Sequence, residues 1–297
     1  MGHDHDHGSG DVSSARLLGT MTLNFVITGA EVVGGLLSGS LSLLSDALHN
    51  LSDGVSVLVS YLALRLARRQ KTQRFTFGLK RAQILAAVLN ASVLIAVCVY
   101  LFREAYGRFL APEPVGTGLM IAVASLGLAA NVAGTLLLRA GAKSNLNVRS
   151  SYLHLLSDVY SSIAVILGGV AMRAWGAYWL DPVLTVGIGL YVLKESLDIL
   201  REAASVLLLC APARLSLPEV RETLQALPGV RDLHHVHVWC VDDQDTHFEA
   251  HVEVDDMPVS RTEALVDAVE RVLHDRFEIN HVTLQFEVDR CADKALV

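Results

Sequence analysis

Two six-residue stretches carry the chemistry of this chain. Leu48-His49-Asn50-Leu51-Ser52-Asp53 and Leu153-His154-Leu155-Leu156-Ser157-Asp158 share the pattern L-H-x-L-S-D, 105 positions apart. In each, a His and an Asp four residues apart stack on one face of a helix. Two such faces brought together offer two imidazole nitrogens and two carboxylates. That donor set makes a tetrahedral site for a divalent metal, and zinc suits it best. Both stretches lie in long apolar segments. A carboxylate at mid-bilayer costs about 2.5–3.5 kcal/mol on insertion scales, so intramembrane charges mark ion pathways. The bland alternative is that each His bonds its own Asp or a neighbouring helix and merely glues helices together. Repetition of the motif in two helices weighs against it.

The elements that must position these residues are membrane helices. Of the 297 residues, 52% are apolar and only 19% charged, with a mean hydropathy of +0.42. This composition fits a membrane protein with a soluble part. About 20 apolar residues span a bilayer as a helix, and six segments qualify: 16–37, 41–65, 82–106, 116–138, 152–174 and 182–205. The first is rich in small residues, with Gly29, Gly34, Gly35 and Gly39 allowing close helix approach. It also carries Asn24 and Glu31, the latter either a proton or metal relay or a bonded structural acid. Asp46 lies a turn before His49 and could line an entrance to the site. Asn131 is a polar mark in the fourth segment. Asp181-Pro182 opens the sixth and is explained by capping and by Pro in a first turn.

Charge sets the orientation. The stretch 65–81 holds seven basic residues (Arg65, Arg68, Arg69, Lys71, Arg74, Lys80, Arg81) and no acid. The connection 139–151 adds Arg139, Lys143 and Arg149, again without acids. The positive-inside rule puts both loops, and with them both termini, in the cytoplasm. Anionic lipid headgroups are the expected partner of the basic loop, and nucleic acid is not. The first residues, His3-Asp4-His5-Asp6-His7, either capture metal loosely or form a flexible tail. No cleavable signal peptide is expected, because this segment is acidic and His-rich rather than basic. The four cysteines are scattered without a C-x-x-C pair, so no disulfide framework is expected. Cys98 reads as a packing residue and Cys291 as a weak candidate ligand.

From Val206 onward the character changes to eight Lys/Arg against eighteen Asp/Glu. Helix 217–227, strand 234–241, strand 248–254, helix 261–277 and strand 281–288 make an α-β-β-α-β order. It suggests an open-faced, ferredoxin-like α+β domain. The expected organisation is a tail at 1–15, an all-α six-helix transmembrane domain at 16–205 and a cytoplasmic domain at 206–297. Seven of the twelve histidines lie in that last part. Spacing allows His234, His251 and Glu287 to meet at one end of the sheet and bind metal, and equally allows solvent-facing histidines.

The sequence resembles the cation diffusion facilitators, dimeric proton-coupled exporters of zinc and related metals. The resemblance runs from about residue 15 to 290. It is carried by Gly34-Gly35-Leu-Leu-Ser-Gly-Ser-Leu-Ser-Leu-Leu-Ser-Asp46-Ala-Leu-His49-Asn-Leu-Ser-Asp53, by Phe75-Thr-Phe-Gly-Leu-Lys-Arg81, by His154-Leu-Leu-Ser-Asp158 and by His234-His-Val-His237-Val-Trp239. The resemblance implies that His49, Asp53, His154 and Asp158 form the transport site. It also implies that His234, His251 and Glu287 ligate metal in a dimerising cytoplasmic domain, with His237 assisting. No His or Asp occurs between 54 and 81 and no His in 139–151, so neither of the extra loop sites of some relatives is expected. This favours a bacterial-type zinc exporter in the inner membrane, a homodimer exchanging metal for protons across the bilayer. Cadmium is a possible second cargo. Export of cobalt, iron(II) or manganese, and a membrane sensor without transport, remain the alternatives. An intramembrane zinc hydrolase would want H-E-x-x-H or an open metal position beside a general base. Neither is present, so the chain is not read as an enzyme.

Overall fold

The computed structural model describes residues 14–67, 71–139, 146–242 and 245–297. Six long helices come first: α1 (Ser14–Ser38), α2 (Leu41–Ala67), α3 (Ala82–Leu110), α4 (Thr117–Leu138), α5 (Leu146–Trp175) and α6 (Leu180–Leu207). They agree with the six expected segments, except that α5 begins about a turn and a half earlier. Among the described residues, three stretches are apolar enough by themselves to cross a bilayer: Ala82–Leu110, Thr117–Leu136 and Leu155–Trp175. The second half of α6 carries Lys194, Glu195, Asp198, Arg201 and Glu202, which lowers its hydropathy.

The chain forms two compact units. One holds residues up to 58 together with 90–198, and the other 59–89 together with 199–297. In the first, Leu43, Met120, Val165 and Met172 form a fully buried cluster. Alongside it, Thr28, Glu31, Ser40, Ser42, Ser45, Asp46 and His49 are also buried. Large apolar side chains such as Val33, Leu36, Leu126 and Leu167 point outward. Polar groups inside and apolar groups outside suit a bundle whose solvent is lipid. Helix α1 packs on α4. A Cβ on Gly34 would lie 2.8 Å from Val123 Cγ2, so only glycine allows that approach. Gly29, expected to do the same, faces open space, and Gly39 instead turns the chain at a φ of +68°.

Asp181 departs from its expected role. It stands in the first turn of α6 but caps the start of α2. Its carboxylate accepts hydrogen bonds from Ser40 Oγ (2.7 Å), Leu41 N (2.8 Å), Ser42 N (3.2 Å) and Ser42 Oγ (2.7 Å). A helix start carries orphan N–H groups and a partial positive charge, which a buried carboxylate satisfies.

In the second unit, α7 (Leu217–Gln225), β1 (Asp232–Cys240), β2 (Thr246–Glu253), α8 (Val259–Phe277) and β3 (His281–Glu287) complete the chain. Ser216 caps α7 by accepting from Glu219 N. The sheet order is β1-β2-β3, with β1 antiparallel to β2 and β2 parallel to β3. Val220 and Leu224 of α7 and Leu265, Val269 and Leu273 of α8 pack with Leu233, Val238, Phe248, Ala250 and Val252 of the sheet into one core. The C-terminal segment joins the edge of β1, where His235 N donates to Ala295 O (3.1 Å) and Val236 N to Leu296 O (2.8 Å).

Replacing Asp181 with Ala leaves four buried donors without their acceptor. The expected loss of stability is about 3–5 kcal/mol, read as a lowered thermal midpoint in detergent. Asp181→Asn should lie between the variant and the wild type.

Candidate metal centres

The membrane unit brings together groups from four helices. His49 of α2 and Asp158 of α5 meet across the bundle, with Nε2 3.2 Å from Oδ1. The two residues are 3% and 4% exposed, so this polar pair is closed to bulk solvent. The other ring nitrogen, His49 Nδ1, lies 3.7 Å from Glu195 Oε2 on α6, and the imidazole packs edge-on against Tyr191. Asp46, one turn before His49, accepts from Ser161 of α5, while its second oxygen is buried without a hydrogen-bond partner. On α1, Glu31 accepts from Asn50 Nδ2 at 2.8 Å, and its other oxygen is likewise buried and unpartnered. That oxygen points at Gly127 of α4, where a Cβ would come within 2.3 Å of it. Two buried carboxyl oxygens are thus left without a hydrogen-bond partner in the bundle that holds the His49 imidazole, and a bound cation would satisfy them.

The helical backbone runs through Asp53, one turn after His49, and through His154, one turn before Asp158. Their side chains lie outside the described residues, as does the tail with His3, Asp4, His5, Asp6 and His7. Glu195 and Tyr191 were not anticipated from sequence. The available signal was an acid inside the sixth apolar segment, on the face one turn from Tyr191.

In the second unit a backbone irregularity builds the other cluster. The register of β1 on β2 shifts between His234 and His237, and His235 takes a φ of +51°. A bulge of this kind re-aims side chains. Leu233 and His234 are consequently both fully buried, breaking the alternation expected of a half-buried strand. His234 Nε2 reaches Glu287 Oε1 at 2.8 Å, and His251 Nδ1 lies 3.3 Å from Glu287 Oε2. Cys291 Sγ completes the group, 3.4 Å from Glu287 Oε2 and 3.6 Å from His251 Nδ1. One donor atom from each of these four residues lies within 4.8 Å of the others. Two imidazoles, a carboxylate and a thiol match the donors and number of a tetrahedral zinc site.

His237 stands apart, exposed and paired with Glu249 in the ladder. On its other side His234 shares a second group with Asp232 and Glu253. There Arg221 and Gln225 hold Asp232, and Lys294 holds Glu253, so the carboxylates already have their partners.

Burial by itself would raise the Glu287 carboxyl. Hydrogen bonds from the Cys291 thiol and the His234 imidazole outweigh it and hold Glu287 below the ordinary carboxylate range. Burial and the neighbouring Glu287 in turn push the Cys291 thiol up. Glu287 is thus an anion ready for a cation, whereas Cys291 binds only as a metal displaces its proton.

A family model of the cation efflux transmembrane domain matches residues 18–208, and a model of the cytoplasmic domain of cation efflux proteins matches 212–289. The chain belongs to the cation efflux family. Members of the cation efflux family are transporters rather than enzymes, in keeping with the reading from residues. The chain is 38% identical over 290 residues to the metal cation efflux system protein CzcD of Cupriavidus metallidurans, covering 98% of this chain and 91% of that one. It is 37% identical over 297 residues to the zinc transporter ZitB of Escherichia coli, covering 98% and 94%. It is 35% identical over 293 residues to the cadmium, cobalt and zinc/H(+)-K(+) antiporter of Bacillus velezensis, covering 97% and 92%. Within this cation efflux protein the two clusters fall one in each matched region.

Isothermal titration with zinc separates ligands from bystanders in the second cluster. Glu287→Gln should weaken binding by at least about 10–100-fold, Cys291→Ser by less, and His237→Ala should leave it unchanged.

Proposed function

We propose that the protein exports divalent metal, zinc first and cadmium second, from the cytoplasm by proton antiport. The observation that carries this reading is the buried contact between His49 and Asp158. Metal binding needs a neutral imidazole and an ionised carboxylate, so protons leave as metal arrives. In the arrangement described, imidazole and carboxylate face each other at hydrogen-bond distance. A metal bound between them excludes protons from both groups, and a proton arriving from outside competes with the metal for them. Asp53 and His154, each one helical turn from its partner, complete a two-His, two-Asp shell with no open position, which suits carriage rather than catalysis. Glu195 flanks the pair, 3.7 Å from His49 Nδ1, on the side away from Asp158.

In this reading, residues 16–205 form the transmembrane domain, in the inner membrane with both termini cytoplasmic, preceded by the 1–15 tail and followed by a cytoplasmic domain at 206–297. The acid-free basic stretch 65–81 supports that orientation. The match of residues 212–289 to the family's cytoplasmic domain supports a homodimer. The His234, His251, Glu287 and Cys291 cluster then takes up zinc on the cytoplasmic side. Loading there biases the conformation of the transporter, as a ligand that prefers one of two states must.

The test is zinc uptake into proteoliposomes with an imposed pH gradient. Uptake that depends on the gradient and vanishes in His49→Ala and Asp158→Ala is the expected result. Equal uptake by wild type and both variants would remove the pair from the mechanism. Tight zinc binding without any uptake would make the protein a membrane sensor.

A further inference from the structure

Where the basic stretch meets strand β1, the second unit has an open cavity of about 550 Å³. Its walls are apolar, chiefly Phe75, Phe77, Leu85, Leu209 and Trp239. The first four are each about half exposed, an unusual cost for aromatic and aliphatic groups facing water. Only two charged side chains line the cavity, Lys80 and Arg81. Lys80 is engaged by Asp242 and Asp245 of the β1–β2 hairpin. Among the described residues no carboxylate pairs with Arg81, nor with Arg74, whose guanidinium stands 5.8 Å from the centre of the Phe75 ring. An apolar hollow is thus lined by one uncompensated guanidinium, Arg81, with a second, Arg74, over the ring of its Phe75 wall.

The cavity also continues into the surface of a membrane helix. Leu85 lies in the first turn of α3, where the apolar span Ala82–Leu110 begins. Leu85 and Leu89 share one face of α3, and both are exposed. An occupant needs a negative head for the guanidinium groups and an apolar body for the ring-lined wall and the Leu85–Leu89 stripe. Inorganic phosphate would leave the wall unused. A water-soluble acidic peptide would not follow the stripe into a bilayer.

We propose that an anionic phospholipid of the cytoplasmic leaflet occupies this cavity. Its phosphate lies against Arg81 and Arg74, and an acyl chain runs past Phe75 and Phe77 along Leu85 and Leu89. This deepens the proposed function and rests on the cytoplasmic placement of the 65–81 stretch. Trp239 lies on the strand that also carries His234, so the lipid would touch the same sheet that holds the zinc cluster.

The experiment uses the full chain carrying Trp175→Phe and Trp179→Phe, so that Trp239 alone fluoresces, in nanodiscs containing brominated lipid. Brominated phosphatidylglycerol is expected to quench Trp239 more strongly than brominated phosphatidylcholine at equal mole fraction. Arg81→Ala should weaken the phosphatidylglycerol effect roughly five-fold, the factor expected for one cation near an anionic headgroup. Arg74→Ala should act in the same direction. Equal quenching by the two lipids would reduce the cavity to plain apolar contact and overturn the proposal, as would no quenching at all. Quenching by phosphatidylglycerol that added inorganic phosphate relieves would assign the rim to a free anion instead. Nanodiscs offer the same lipid on both faces, so this result does not depend on orientation. Gradient-driven zinc uptake tests the transport reading separately.

Discussion

A polar group inside a membrane bundle has no water to fall back on. Every buried carboxylate and imidazole here must find its partners in other helices, and this requirement governs how the first unit is assembled. Asp181 answers it by capping α2 from α6. Glu31 answers it through Asn50, and Asp46 through Ser161. His49 and Asp158 answer it through each other. Helices that would otherwise be interchangeable greasy rods are keyed by these bonds.

The same constraint is not met in full. A fully satisfied network would be inert glue. Glu31 and Asp46 each keep one buried oxygen without a partner. The desolvation that makes an unpaired carboxylate costly also makes a cation welcome there. In the proposed mechanism, stability and transport draw on the same groups.

The second unit solves a different problem with different means. In water a histidine needs no special arrangement, and several here lie exposed on the sheet. His234 is the exception because a bulge turns it inward, beside Glu287 and away from solvent. The C-terminal segment then closes over that end, pairing with the bulged backbone and bringing Cys291 against His251 and Glu287.

Much of this was legible in the sequence. Six apolar runs, the repeated L-H-x-L-S-D motif, the basic loop and the period-two strands after residue 230 follow from side-chain hydropathy and spacing, which are local properties. They determined the helices, the order of elements after residue 205 and the spacing of His and Asp one turn apart. Only the tertiary structure decided which residues meet across elements. It gave Asp181 to α2 rather than to its own helix. It brought Glu195 and Tyr191 to His49, and it set Cys291 rather than His237 beside His251. These are contacts between residues from 40 to 146 positions apart in the chain, and no local pattern encodes them. They arise because buried polar atoms must be paired and because a single bulged strand decides which way its histidines face.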